Sequence, residues 1–85
     1  MGKLFTICLD EGDVGQLLDG LRCRTEAWHG TAEYMASGHT TREDFVIEEC
    51  RDADEALKIA AHYDRIIATI EAQVRGQAKG PLVGP

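Results

Sequence analysis

The chain has 85 residues, 44 % of them hydrophobic and 28 % charged, with nine basic side chains against fifteen acidic ones and a formal net charge of −6. That is one soluble domain and too little for two, and a chain of this size buries only roughly 60 % of its unfolded surface, so self-association is an expected source of stability. The acidic balance argues against a general nucleic-acid binder; no run reaches the roughly 18 apolar residues of a membrane span and no signal-peptide pattern opens the chain, so a cytoplasmic protein is expected.

Residues 3–9 alternate, with Phe5, Ile7 and Leu9 on one side and Leu4, Thr6 and Cys8 on the other, which predicts a short β-strand with Cys8 as a small core residue. Asp10, Glu11 and Asp13 then supply capping oxygens and negative charge for a helix starting near residues 11–14. Val14, Leu21, Trp28 and Met35 recur every seven residues, with Leu18, Thr25 and Ala32 between them, so one apolar stripe runs along this helix. Gly15, Gly20 and Gly30 weaken it, Gly30 marking a kink or a close approach, and Gly38 is the natural stop.

The following stretch is ambiguous. Phe45, Val46 and Ile47 favour a strand that pairs with the first, whereas Thr40 with Glu43, or Thr41 with Asp44, fits a capping box; the strand is preferred. Asp52 with Glu55 opens a second helix over residues 53–75, in which Ala56, Ala60, Tyr63, Ile67, Ile70 and Val74 form the apolar stripe. Leu57, Ile59 and Ile66 widen that stripe beyond what one neighbouring helix covers, which predicts a homodimer through this helix. The expected fold is α+β and helix-dominated: β-α-β-α, with two long helices packed as an antiparallel hairpin and a small two-stranded sheet, the alternative being an all-α helical hairpin. Residues 1–76 form the domain and residues 77–85, rich in Gly and Pro, a flexible tail.

Cys8, Cys23 and Cys50 form neither a disulfide framework nor a four-thiolate zinc pattern, and reduced thiols are expected. Glu26 and His29 make one Glu-x-x-His pair, a spacing used in di-metal bundles, but the position three before His62 is Ile59, so the second pair is absent. No cofactor or metal is therefore assigned, and without a nucleophile elbow, phosphate loop or other convergent set no enzymatic activity is expected. A small-molecule or metal-binding site at a homodimer interface, built from Glu26, His29 and His62, is the alternative reading.

The feature that stands out is the distribution of acid. Between Glu43 and Glu55 seven acidic residues face one basic residue, Arg51. Capping and a solvated surface account for Asp52 and Glu55, but Glu48 and Glu49 directly follow an apolar run, and a concentrated negative field beside apolar residues steers a protein onto a basic surface. The candidate partner-binding residues are Glu43, Asp44, Phe45, Glu48, Glu49 and Asp54, with Phe45 or Trp28 as an apolar anchor.

One short domain, unpaired cysteines, an acidic run at Glu43 to Glu55 and no catalytic motif together resemble the small acidic proteins of bacteriophages and other mobile elements, including anti-CRISPR and related anti-defence inhibitors. The resemblance is one of profile over the whole chain. It implies a non-catalytic inhibitor that occupies a basic or nucleic-acid-binding surface of a host complex, a protein or ribonucleoprotein such as CRISPR-Cas, without touching nucleic acid or membrane itself.

Overall fold

A computed structural model describes residues 2–40 and 47–79, with side-chain environments described through residue 77. Two helices account for most of them: α1, Glu11–Ser37, and α2, Ala53–Lys79, packed along each other as a hairpin. The starts of both helices and the end of α1 are set by local chemistry. Asp10 caps α1, its side chain accepting the Asp13 N–H at 2.7 Å, with Glu11 and Asp13 in the positive first turn. At the other end Gly38 adopts φ 85°, the left-handed conformation that costs a residue with a side chain, and donates its N–H to Tyr34 O at 2.7 Å. Asp52 accepts the Glu55 N–H at 2.9 Å, while the Glu55 carboxylate reaches back to the Arg51 N–H at 2.6 Å, a capping box displaced by one residue on its return arm.

The α+β expectation is overturned: no strand is present among the described residues, and the alternative, a helical hairpin, is the architecture found. The reason is spatial. Residues 5–9 lie against Val14 and Val74 at the open end of the hairpin, whereas residues 47–50 cross α1 at Thr31. With about 1.5 Å of rise per residue those two places are about 25 Å apart along α1, too far for a β ladder. Phe45 and Val46, the centre of the expected second strand, lie outside the described residues, and Ile47 is in no strand. The first segment is extended but has no partner, so Cys8, expected in a core, is exposed, as are Phe5, Ile7 and Leu9. Helix α2 also continues through Gly76 to Lys79, four residues beyond the expected end, because glycine weakens a helix by about 1 kcal/mol without stopping it.

The expected stripe on α1 is correct where it meets α2. Thr25, Trp28 and Ala32 are buried, Val14, Leu18 and Leu21 are half-buried, and Met35 at the end is exposed. On α2, Ala56 and Ala60 are completely buried, so the core is Trp28 seated against two alanines and Ala32, with Cys50, Ile59 and Tyr63 packed around it. Small residues opposite a large ring let the helices approach closely. The two buried threonines off or within the stripe are satisfied locally, Thr25 donating to Leu21 O at 2.8 Å and Thr31 to Ala27 O at 2.9 Å. Gly30 is buried within an uninterrupted α1.

Two cross-helix contacts fix the register. Arg22 pairs with Glu71, and His29 Nε2 lies 3.7 Å from Asp64 Oδ2, seven residues further along α1 and seven back along α2. This is the heptad spacing of antiparallel helices that keep one seam in contact.

Candidate interaction surfaces

At the closed end of the hairpin, the five described acids of the acidic run divide by use. Glu48 is half-buried; its carboxylate pairs with Arg24, and its backbone N–H donates to Thr31 Oγ1 at 2.9 Å. The Arg24 guanidinium also stands over the Trp28 ring, 5.6 Å from its centroid, so Arg24 links the acidic segment to the core. Asp52 and Glu55 are held as caps, and Glu55 also approaches Arg51 at 3.4 Å. Glu49 and Asp54 are the two that remain exposed outside these contacts. Glu43, Asp44 and Phe45 lie outside the described residues. Trp28, expected as an anchor for a partner, is 6 % exposed and belongs to the core.

On one side of the helix seam a shallow depression of about 310 Å³ is lined by Arg22, Thr25, Glu26, His29, Asp64 and Ile67. It brings Glu26 and His29 together, as their helical spacing requires, and adds Asp64 from α2, a partner that reading along one helix could not reveal. His62, the third residue of the metal alternative, is turned elsewhere: its Nδ1 lies 2.7 Å from Arg65 Nη2 on the exposed face of α2. Among the described residues no group of three His, Cys, Asp or Glu side chains is placed to hold a metal ion.

The third surface was not foreseen. At the open end, Phe5, Ile7 and Leu9 of the N-terminal segment and Val14, Leu17, Ile70 and Val74 of the helices line a groove of about 530 Å³. Leu4, Phe5 and Ile7 are 97 %, 81 % and 73 % exposed. Of the ten large hydrophobics exposed among the described residues, six are Leu4, Phe5, Ile7, Leu9, Leu17 and Val74, all at this end. The α2 shoulder is smaller than expected: Leu57 is exposed, Ile66 is half-buried and Ile59 packs on the core. The alternation of residues 3–9 is the signal the sequence carries for this surface, and by itself it predicts pairing within the chain.

No helix among the described residues is long and apolar enough to cross a membrane. No family model, curated protein or solved structure matches this chain.

Proposed function

We propose that the chain is a non-catalytic, cytoplasmic protein-binding module, a phage-type inhibitor or adaptor that sets the acids of its closed end against a basic surface of a protein or ribonucleoprotein complex. The observation that carries this reading is the bracing of that end. The segment bearing Glu49 is tied to α1 through Glu48 to Arg24 and Thr31, and Asp54 stands on the first turn of α2. Charges held on a fixed frame lose little freedom on docking and can add to association rate and selectivity. Glu49 and Asp54 are the described residues assigned to contact; Glu48 acts by fixing the segment. Homodimerisation belongs to the same proposal.

The test is plaque formation by a targeted phage on hosts that express the chain together with each of a panel of CRISPR-Cas systems. Restored plating that is lost on joint Glu49→Lys and Asp54→Lys substitution is expected. Unrestored plating across the panel removes the anti-defence reading, and restored plating that survives the charge reversal removes the acidic face.

A further inference from the structure

The open end of the hairpin presents an extended arm, residues 3–9, beside a groove that the arm does not fill. The arm's side chains at Phe5 and Ile7 are mostly in solvent, while Val74 and Leu17 on the groove walls are each 41 % exposed. Among the described residues the arm makes no backbone hydrogen bond. An exposed, alternating, apolar segment with a free row of N–H and C=O groups is a template for another chain. We infer that the occupant is a second copy of this chain: two open ends meet across a two-fold axis, the arms run antiparallel and hydrogen-bond to each other, and Phe5, Ile7 and Leu9 of the two arms close both grooves.

Three observations favour a second copy. The first is area. A standard interface takes about 800 Å² from each partner, and six of the ten large hydrophobics exposed among the described residues, Leu4, Phe5, Ile7, Leu9, Leu17 and Val74, are gathered at the open end to supply it. The chain's 15 Å thickness is that of one helical layer, with four buried hydrophobic residues forming the core among the described residues. The second is self-complementarity. Arm and groove lie on the same end, so a two-fold contact uses each of them twice, as closed symmetric dimers do. The third is charge. The negative charge of residues 48–55 sits at the far end of the hairpin, and the arm's single charge, Lys3, is a counter-charge for the acids at the open end, Asp10, Glu11 and Asp13, of the other copy. In an antiparallel pairing centred on Thr6, Phe5 faces Ile7 of the other copy and Lys3 comes beside its Leu9 and Asp10, an attractive placement.

The basic partner of the closed end is tested separately by plating; this inference rests on the homodimerisation proposed above and assigns its interface. Its test is sedimentation equilibrium of the full chain at tens of micromolar. A species of twice the 9.3 kDa chain mass is expected, and joint Phe5→Asp and Ile7→Asp substitution should reduce it to the monomer with helical circular dichroism retained. A monomeric wild type leaves the arm to a foreign protein and overturns the inference. A dimer indifferent to the substitutions places the contact elsewhere, such as the α2 shoulder, and overturns it equally. Should the double variant lose its helices, oxidation of Thr6→Cys in a Cys8→Ser, Cys23→Ser background decides. Rapid disulfide-linked dimer, with none from Ala68→Cys on α2 in the same background, is expected; equal rates at the two positions refute the pairing.

Discussion

Glu48 donates its backbone N–H to Thr31 Oγ1 at 2.9 Å, while that hydroxyl donates to Ala27 O at 2.9 Å. Thr31 is the largest fully buried side chain among the described residues. A single hydroxyl therefore serves as acceptor for the connecting segment and as donor to its own helix, and it orients the residue whose carboxylate meets Arg24.

Thr31→Val keeps the shape and removes the hydroxyl. The Glu48 N–H then loses its partner, and a buried unsatisfied donor costs about 1–3 kcal/mol. Thr25→Val removes only a bond to the helix carbonyl of Leu21, which the helix itself already occupies. Urea unfolding should separate the two: a clear loss for Thr31→Val and a change within about 0.5 kcal/mol for Thr25→Val, as for substitutions outside the severe mechanisms. Equal losses would show that segment 47–50 is not anchored by Thr31.

Trp28 yields a second contrast. Its ring is buried, yet among the described residues the indole Nε1–H has no hydrogen-bond partner. Phenylalanine gives up part of the ring's packing but also removes an unsatisfied donor, and the two effects oppose each other. Trp28→Phe is expected within about 1 kcal/mol of wild type, whereas Trp28→Ala opens a cavity against Ala56 and Ala60 and costs about 3–5 kcal/mol. Thermal unfolding with the same readout for both variants checks this.

The ends and the buried stripe of α1, and the start of α2, were legible because each rests on nearby residues: Asp10 with Asp13, Gly38 with Tyr34, Asp52 with Glu55. The segments outside the helices were not. Alternation at residues 3–9 reports that a segment is extended and two-faced, but whether it pairs within its own chain depends on where the rest of the fold lies, and here residues 47–50 cross α1 about 25 Å away. The acidic run was equally visible as composition. Asp52 and Glu55 are held by local capping, but the separation of Glu48, which braces the segment, from Glu49 and Asp54, which stay exposed, depends on Arg24 and Thr31, which lie on α1 and carry no mark in the sequence. His29 likewise has a local partner of the right spacing in Glu26, while Asp64 becomes its neighbour only through the helix register.

That register is testable through Arg22 and Glu71. Both are partly exposed, so the pair adds at most about 1 kcal/mol, weakened by salt. Arg22→Glu alone sets two carboxylates against each other, and the exchange of both residues restores the opposite charges. A double-mutant cycle should give a favourable coupling below about 1 kcal/mol in dilute buffer that shrinks with added sodium chloride. A coupling of zero at low salt would place these two side chains out of reach and the helices in another register.

Glycines along the helices provide the sharpest check on backbone geometry. Gly20 lies inside α1, is exposed, and has nothing within 4 Å of the position a Cβ would take. Alanine fits there without strain and limits the unfolded chain, so Gly20→Ala should stabilise the hairpin by about 0.5–1 kcal/mol. Gly38 has equally open surroundings but φ of +85°. Space is irrelevant at that position: a Cβ meets its own backbone in the left-handed region, and Gly38→Ala should cost about 1 kcal/mol and fray the last turn of α1. The two variants change the same atoms in opposite directions of stability, so urea midpoints that move together would contradict the left-handed stop at Gly38 or the helical run through Gly20.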